Sequence, residues 1–369
     1  MKADIITMHM INNYGSVLQT YASLLMFQEM DIEAEIIDYY PPRLKGYGSF
    51  VQIYRDAKPF HKGMIKCLAV AFVNWPSYKL QSAVFGPFVK KYISLSRRYE
   101  SINELRKNPP IADIYCTGSD QVWNNYLDDQ KQFDEAYFLR FGSETIRRIA
   151  YSASFGRSDF SETELQIIGT LAQNYNSISV REQSGVEVLC KAGIEKANCC
   201  LDPTFMIDKE IWRGLAESIS ENDYILVYKL HEDSAASSIA IELGRRLNKK
   251  VLRISTALHR RIKGGRTIML PTVGEFLSYI MNASLVVTDS FHATALSINF
   301  NVPFYTVKWK MFNDRAESIL TKVNLQDRLI ASIDEATKDI LDIDFSYANK
   351  MLEQERIKSK ESFRAAIVE

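Results

Sequence analysis

Short apolar runs alternate with helix-like stretches along most of the chain, and this alternation constrains the fold more than any other feature. In the first half, strand-like runs cover residues 3–8, 34–38, 111–117, 148–154, 176–180 and 197–201. In the second half, they cover residues 224–230, 250–254, 284–288 and 303–307. Strands that alternate with helices predict an α/β protein, with parallel sheets and helices on both faces.

The length of 369 residues suggests two domains, each large enough to bury its own core. The rhythm of strands and helices restarts after a polar stretch between Asp208 and Asp223. We therefore expect an N-terminal domain of residues 1–208 and a C-terminal domain of residues 209–369. Two such domains that face each other form a central cleft, which is a common place for a ligand. The polar segment 347–366 predicts a long C-terminal helix that packs across both domains.

Residues 50–100 depart from this rhythm, because aromatic and basic residues surround a short apolar run at 68–73. One interpretation is a helical insertion, at about residues 45–105, that completes the N-terminal core. The other is an amphipathic patch that contacts a membrane surface or a lipid-linked substrate. The sequence leaves both interpretations open.

Composition excludes several classes of function. Lysine plus arginine and aspartate plus glutamate both number 45, so no basic field marks a nucleic-acid binder. No segment approaches the roughly 20 apolar residues that cross a bilayer, and no signal-peptide pattern is present. The five cysteines lack metal-ligand spacing, and we expect buried thiols in a reducing cytoplasm and no essential metal.

Ligands of open α/β sheets bind beyond the carboxyl ends of the strands, so polar residues there are the candidate site. These candidates are Asn13, Tyr14, Gly15, Ser119, Asp120, Arg181, Lys229, Asp289, Ser290 and His292, with Arg315 from a later helix start. The first three open a helix directly after a strand, where free backbone N–H groups suit a phosphate or carboxylate. A plain turn between strand and helix is the alternative, since the segment lacks a dinucleotide fingerprint or a P-loop.

Two residue types in this set carry the chemistry. His292 exchanges a proton near neutral pH, although a histidine in a helix start capped by Ser290 is the alternative. Arg181 follows a strand and can grip a carboxylate or phosphate through two hydrogen bonds, or else pair with a nearby glutamate. Arg315 is interpreted as a second anion clamp or as a first-turn cation. Lys229 fits a structural ion pair better than a ligand contact.

Six ordered blocks of sequence resemble the polysaccharide pyruvyl transferase family. They are residues 13–22 (NYGSVLQTYA) with 36–39 (IIDY), 118–124 (GSDQVWN), 151–156 (YSASFG), 179–182 (SVRE), 201–204 (LDPT) and 288–295 (TDSFHATA). Together they fall across most of the chain, so the set is more specific than any one block. Where the family more often has glycine after the histidine, this chain has Ala293.

The resemblance implies two Rossmann-like domains in a glycosyltransferase-B-like arrangement, without a metal or a resident cofactor. Family members move the enolpyruvyl unit of phosphoenolpyruvate onto two hydroxyls of a sugar, which makes a cyclic ketal and releases phosphate. On this reading His292 is the general acid and Asp289 orients its imidazole. The expected donor-binding residues are Arg181, Ser290, His292, Arg315 and Lys229. The expected acceptor-binding residues are Asn13, Tyr14, Gly15, Ser119 and Asp120.

The resemblance says more about the donor than about the acceptor. A sugar of a capsular or other surface polysaccharide, or its lipid-linked precursor, is the expected acceptor, with the enzyme at the inner face of the membrane. Two other functions compete with this one. The first is a nucleotide-sugar-dependent glycosyltransferase on the same two-domain plan, and the second is a non-catalytic scaffold that binds a sugar or a lipid carrier.

Overall fold

The computed structural model describes residues 1–44, 46–58, 63–125, 131–310, 313–337 and 339–368. In this part of the chain, the strands form two sheets, one in each half of the sequence. The first contains β1 (Lys2–Ile6), β2 (Glu33–Tyr39), β3 (Leu95–Tyr99), β4 (Ile114–Thr117), β5 (Arg147–Ala153), β6 (Ser177–Val180) and β7 (Ala197–Cys199). The second contains β8 (Tyr224–Tyr228), β9 (Lys250–Ser255), β10 (Arg266–Met269), β11 (Leu285–Thr288), β12 (Phe304–Val307) and β13 (Leu329–Ile330).

Both sheets are parallel and share one strand order. The first runs β3-β2-β1-β4-β5-β6-β7 and the second β10-β9-β8-β11-β12-β13. The direction of winding reverses between β1 and β4 in the first sheet and between β8 and β11 in the second. These are the switch points where doubly wound sheets bind ligands. The predicted α/β class with parallel sheets is confirmed.

Helices cover the sheets and connect their strands. They are α1 (Tyr14–Gln28), α2 (Phe50–Ala57), α3 (Met64–Tyr92), α4 (Ile102–Lys107), α5 (Glu162–Ala172), α6 (Gln183–Lys191), α7 (Pro203–Met206), α8 (Lys209–Leu215), α9 (Ala236–Leu247), α10 (Val273–Met281), α11 (Phe291–Phe300), α12 (Asp314–Lys322) and α13 (Phe345–Val368). No helix of the described residues is long and apolar enough to cross a membrane.

Local sequence explains where the elements near the cleft begin. The central strands β8 and β11 are apolar at almost every position and completely buried, as expected for strands covered on both faces. Helix α1 is capped by Asn13, α10 by Thr272 in a capping box and α11 by Ser290, each accepting a backbone N–H of the first turn. These caps fix the helix starts that face the cleft.

Residues between β2 and β3 form α2 and the long helix α3. The inner side of α3 packs on α1, where Phe88 and Tyr92 contact Tyr21. Phe85 lies 4.8 Å from Tyr14, measured between ring centroids. The helix therefore completes the N-terminal core, while its outer side stays exposed.

The terminal helix α13 returns from the second sheet to the first. Its Phe363 packs against Phe27 of α1 and Tyr151 of β5. Arg356 donates to the backbone oxygen of Phe205 and to Asn299 Oδ1, so the helix contacts both halves of the molecule. The chain passes from one sheet to the other between Cys199 and Tyr224, and the domain boundary after residue 208 stays a prediction.

Candidate functional site

Residues from both sheets meet around the carboxylate of Asp202. Arg181 follows β6, Asp202 follows β7, and His292 is the second residue of α11. Arg181 Nη1 lies 2.9 Å from Asp202 Oδ2, and His292 Nε2 lies 3.7 Å from the same oxygen. All three residues are buried. The carboxylate therefore links the two predicted reactive residues, and we call this the arginine–histidine cluster (Arg181, Asp202, His292, Phe291 and Arg315).

Asp202 is held firmly in this position. Its Oδ2 accepts a hydrogen bond from Ser119 Oγ at 2.7 Å. Its Oδ1 accepts from the backbone N–H of Thr204 at 2.9 Å and from the Thr204 hydroxyl at 2.6 Å. Burial opposes ionisation, but His292 and Arg181 outweigh it and hold the pKa of Asp202 well below its usual range. The side chain is a carboxylate at neutral pH.

Two guanidinium groups share one aromatic ring in this cluster. The Cζ atom of Arg181 lies 4.6 Å from the centroid of Phe291, and that of Arg315 lies 5.9 Å from it. With the Gln121 amide oxygen turned toward it, Arg315 donates to that oxygen at 2.8 and 3.1 Å. Burial and the neighbouring charge of Arg181 lower the pKa of Arg315 to about 10. Arg315 is therefore still a cation at neutral pH.

Two more carboxylates approach Arg181, at longer range. Asp120 Oδ1 is 3.8 Å from Nη2, and Glu182 Oε2 is 4.0 Å from Nε. Burial raises the pKa of Glu182, although Arg181 and a hydrogen bond from Ser154 oppose the shift. The neighbouring glutamate considered from the sequence thus stands near Arg181, but Asp202 is the closer partner.

Several donors in the cluster have no hydrogen-bond partner among the described residues. They are Arg181 Nε and Nη2, Arg315 Nε and His292 Nε2, all of them buried. Leaving a buried donor unpaired costs on the order of 1–3 kcal/mol, and more for a charged group. Three of these nitrogens lie 3.7–4.0 Å from a carboxylate oxygen, which is ion-pair range but too long for a hydrogen bond. Their unused hydrogen-bonding capacity at one point between the two sheets suits an anionic ligand.

The cluster is tightly closed. The cavity beside Arg181, Asp202 and Phe291 measures only about 10 Å³, and roughly this volume holds a single water. This cavity therefore has no room for a ligand larger than water.

Gly15 lets α1 approach the reactive histidine. A Cβ atom built on this glycine would lie 2.2 Å from His292 Nδ1, far inside van der Waals contact. Asn13, the cap of α1, uses its side chain to accept the N–H of Gly15 at 2.8 Å. That N–H is thus occupied, and the role of the corner is to position the imidazole across the cleft.

The carboxylate of Asp289 forms its hydrogen bonds with the loop after β8 and not with His292, and its orienting role stays a prediction. Its carboxylate accepts the backbone N–H groups of Leu230 and His231, at 2.6 and 3.2 Å. It also lies 3.3 Å from His231 Nδ1. The strand end directs this side chain toward the neighbouring loop after β8, and Asp202 from the other sheet takes the place next to His292.

Two other residues predicted to bind the donor, Lys229 and Ser290, form hydrogen bonds within their own segments. Lys229 Nζ donates to the backbone oxygens of Glu232 at 2.7 Å and Ser234 at 3.4 Å, within its own loop. Burial lowers the pKa of this lysine. Ser290 accepts the N–H of Ala293 as the cap of α11. Both side chains stabilise the loops that carry the site.

The predicted acceptor residues support the cluster and leave little free surface. Tyr14 is fully buried; its hydroxyl donates to the Pro271 oxygen at 2.6 Å, and its ring stacks on Phe276. Ser119 binds Asp202, and Asp120 accepts from Ser16 Oγ at 2.7 Å. The structure brings these residues to the site, but as its scaffold.

A larger pocket lies outside the cluster and is formed mainly by the region of residues 40–100. It measures about 380 Å³ and is lined by Met10, Asn12, Tyr40, Gly46, Tyr47, Ser82, Arg98 and Glu100. We call it the open pocket. Asn12 also lines a 60 Å³ cavity that reaches Asn13 and Lys229, so this residue connects the open pocket to the centre of the cleft.

Arg98, the cation of the open pocket, belongs to a network with Asp38 and His9. Arg98 Nε and His9 Nε2 each lie 3.0 Å from a different oxygen of Asp38. The guanidinium stands 4.2 Å above the Tyr40 ring. Burial opposes ionisation of Asp38, but His9 and Arg98 lower its pKa. No group of three or more histidine, cysteine, aspartate or glutamate side chains that could hold a metal ion occurs in the described ranges.

Sequence reasoning missed the roles of Asp202, Phe291, Gln121 and Arg98. The first three stand inside or next to the matched blocks, and Asp202 directly follows a strand. For Asp202, its position after a predicted strand was the sequence signal that could have revealed it. Arg98 had no comparable signal, because it lies on an edge strand that the apolar pattern does not reveal.

Comparison with known proteins adds a family and a fold. The sequence profile of the family described as polysaccharide pyruvyl transferase matches residues 13–310. No curated protein compared with the chain matches it by sequence. The UDP-N-acetylglucosamine 2-epimerase from Rickettsia bellii is a similar solved structure, with a TM-score of 0.54 and 12% identity over 98% of this chain and 96% of that one.

Two further solved structures are similar to a lesser degree. A UDP-GlcNAc 2-epimerase from Methanocaldococcus jannaschii, in complex with UDP-GlcNAc and UDP, has a TM-score of 0.49 and 11% identity, with 96% and 99% of the chains covered. The E. coli heptosyltransferase WaaC has a TM-score of 0.38 and 12% identity, with 84% and 90% covered. At these identities the likeness concerns the fold alone, a glycosyltransferase-B-like arrangement of two Rossmann-like domains.

Proposed function

Because the chain belongs to the polysaccharide pyruvyl transferase family, we propose that it transfers the enolpyruvyl group of phosphoenolpyruvate onto two hydroxyls of a sugar and releases phosphate. The observation that carries this proposal is the arginine–histidine cluster with its unpaired buried donors. A proton donor and two cations at one point of the cleft match an anionic donor that must be protonated.

The charges of phosphoenolpyruvate fit the cluster. The molecule carries a carboxylate and a phosphate, and planar guanidinium groups bind both anions through paired hydrogen bonds. Arg181 and Arg315 stand on the same Phe291 ring. We assign one guanidinium to each anionic end of the donor. We also propose that no metal or resident cofactor takes part, because the arginines supply the positive charge.

His292 acts as the general acid. It protonates the methylene carbon, which becomes the methyl group, and positive charge develops at the neighbouring carbon. One sugar hydroxyl attacks this carbon and a second closes the ketal, while the bond to phosphate breaks. Of the two hydroxyl protons lost, one replaces the proton that His292 gave and the other leaves with phosphate. General acid catalysis of this type contributes about 10²–10⁴-fold to the rate.

Asp202 supports this acid. Its carboxylate oxygen lies 3.7 Å from His292 Nε2 and fixes the place of the imidazole beside Arg181. Closure of the two domains excludes water, which would otherwise capture the cationic carbon. The small volume of the closed cluster is consistent with this requirement.

We assign the sugar acceptor to the open pocket. Its volume of about 380 Å³ lies in the range of small-ligand sites, at roughly 300–1,000 Å³. Tyr40 and Tyr47 offer aromatic surface, and Asn12, Ser82 and Arg98 offer hydrogen bonds to hydroxyls. The acceptor belongs to a surface polysaccharide or its lipid-linked precursor, and the reaction takes place in the cytoplasm at the inner face of the membrane.

The proposal is tested with phosphoenolpyruvate and a panel of hexose and aminohexose acceptors. We expect phosphate release that depends on an acceptor, a ketal product, and activity that a metal chelator leaves unchanged. Consumption of a nucleotide sugar, with no use of phosphoenolpyruvate, would support the glycosyltransferase alternative instead. Sugar binding without turnover of either donor would support a non-catalytic scaffold.

A further inference from the structure

Helix α3 exposes an apolar stripe along its outer side. Its inner side is buried at Cys67, Ala71, Phe85 and Phe88. The large exposed apolar side chains of the helix are Met64, Ile65, Leu68, Phe72, Val73, Trp75 and Leu80. Ile65 is 80% exposed and Phe72 is 74% exposed. A helix that faces only water normally carries polar residues on its outer side, so this stripe needs an explanation.

All charged residues of α3 are cations. Lys66, Lys79, Lys90 and Lys91 are exposed, and the 29 residues of the helix include no aspartate or glutamate. Lys79 Nζ stands 5.9 Å from the ring centroid of Trp75, so cationic and aromatic groups share one side. Apolar side chains flanked by lysines are the pattern of a helix that lies in the interface of an anionic bilayer.

We propose that the outer side of α3 docks the protein onto a bilayer containing anionic lipids. The apolar side chains enter the boundary between headgroups and acyl chains, and the lysines contact the negatively charged headgroups. The helix lies along the surface and does not cross the bilayer, in agreement with its hydropathy. Two prolines, Pro76 and Pro87, interrupt its hydrogen bonding, as a surface helix tolerates better than a buried one.

The docking surface is close to the cleft. Ser82 of α3 lines the open pocket. Gln81 donates to the Thr256 oxygen at 2.9 Å, and Ser77 accepts the N–H of Leu258 at 3.0 Å, so the inner side of α3 also touches the C-terminal half. The rim of the open pocket therefore lies on the same helix as the docking surface. The biological role of this surface rests on the proposed function, since it would deliver a lipid-linked acceptor to the pocket.

A second copy of the chain fits the surface less well. In a twofold dimer the same patch meets itself, so the lysines of one copy would face the lysines of the other. Helix α3 offers no carboxylate to compensate them, and facing like charges oppose association. Anionic lipid headgroups supply the missing negative charge.

The test is sedimentation of the full chain with vesicles, without either substrate. One set of vesicles contains phosphatidylglycerol with phosphatidylcholine, and the other contains phosphatidylcholine alone. The apolar variant combines Ile65→Ser with Phe72→Ser, and the charge variant combines Lys66→Glu with Lys79→Glu. The matched control is Ile111→Ser. Ile111 is 89% exposed and precedes β4, at the amino ends of the strands, away from the cleft.

We expect binding to the anionic vesicles, weaker binding to the neutral ones, and a decrease of about tenfold or more for each α3 variant. The control should bind like the wild type. The inference is overturned if the wild type does not bind anionic vesicles, or if the apolar variant binds them equally well. A stable dimer that only the apolar variant dissociates, seen by light scattering, would instead assign the surface to a second copy. Because no substrate is present, these results are independent of the proposed reaction.

Discussion

The arginine–histidine cluster and the network beside the open pocket contain the same pairing of guanidinium, carboxylate and imidazole, but they differ in the exposure of the arginine. Arg181, Asp202 and His292 are enclosed between the two sheets. In the open pocket, Asp38 pairs with a buried His9 and with Arg98, whose side chain is 55% exposed. A buried charged group is fixed and costly to disturb, whereas an exposed one contributes little to stability and adapts to its ligand.

This difference in exposure suggests that the two regions bind different substrates. A small, invariant anionic donor suits the closed cluster, in which donors are already aimed and water is excluded. A sugar acceptor, which is larger and more variable, suits the pocket with half-buried tyrosines and an exposed cation. Substitutions in the two regions should therefore affect different kinetic constants and differ in size.

Replacement of the general acid should give the largest effect. His292→Gln keeps a polar side chain of similar reach but cannot protonate carbon, so kcat should fall about 10²–10⁴-fold. The matched control is His231→Gln, which alters the histidine bound to Asp289. Rates of phosphate release should change little in that control. Equal losses of kcat in both variants would indicate that Asp289 and His231 also take part in the reaction.

Removal of the central carboxylate should mainly affect stability. Asp202→Asn leaves Arg181 buried without its closest partner, and the free energy of unfolding should fall by about 3–5 kcal/mol. Asp38→Asn, in the open pocket, should cost only about 1–2 kcal/mol. Urea denaturation near neutral pH measures both. Similar losses would contradict the contrast between the two regions.

The same variants have a predictable pH dependence. Because the folded-state pKa of Asp202 is lowered, its contribution is complete above the unfolded pKa, about 3.9, and is lost as the pH falls below it. The wild type should therefore lose stability in acid, and Asp202→Asn should lose less over that window. If the stability of Asp202→Asn falls in acid as steeply as that of the wild type, Asp202 is not the group whose protonation destabilises the protein.

Gly15→Ala tests the close approach across the cleft. The new methyl group would meet His292 Nδ1, so the imidazole must shift, and kcat should fall on the order of 10²-fold. The control is Gly214→Ala in α8, where a Cβ meets no atom within 4 Å. Wild-type turnover in Gly15→Ala would show that the histidine position across α1 is not required.

The open pocket should give the smallest effect. Arg98→Ala should raise the KM for the acceptor about tenfold, with kcat and the KM for phosphoenolpyruvate nearly unchanged. Arg97→Ala is the matched control, because neighbouring strand residues point to opposite faces and Arg97 contacts Tyr99. A rise in the KM for phosphoenolpyruvate in Arg98→Ala would place the donor in the open pocket.

The sequence predicts those parts of the fold whose pattern is strong. Buried strands such as β8 and β11 and the helix α11 follow from their apolar runs. The strands β3 and β10 escape this reasoning because they lie at sheet edges and are only partly buried. Edge strands of this kind carry little periodic signal.

The sequence singles out Arg181 and His292, but it does not reveal which side chains contact them. Arg181 and His292 stand out because each follows a strand and resembles a family motif. Their link through Asp202 depends on two sheets that meet only in the folded chain, and so does the stacking of Tyr14 on Phe276. The loop contacts of Asp289 and Lys229 were not predictable, because a position at a strand end does not say which neighbouring loop a side chain will bind.

The most direct test of the central claim follows the proton that His292 is proposed to deliver. Phosphoenolpyruvate and an accepted sugar are incubated with the protein in D₂O, and the product is analysed by mass spectrometry and NMR. The account predicts a pyruvate ketal with one deuterium in its methyl group and an equal amount of phosphate, both abolished by His292→Gln. Phosphate release without a ketal, or full activity in that variant, would contradict it.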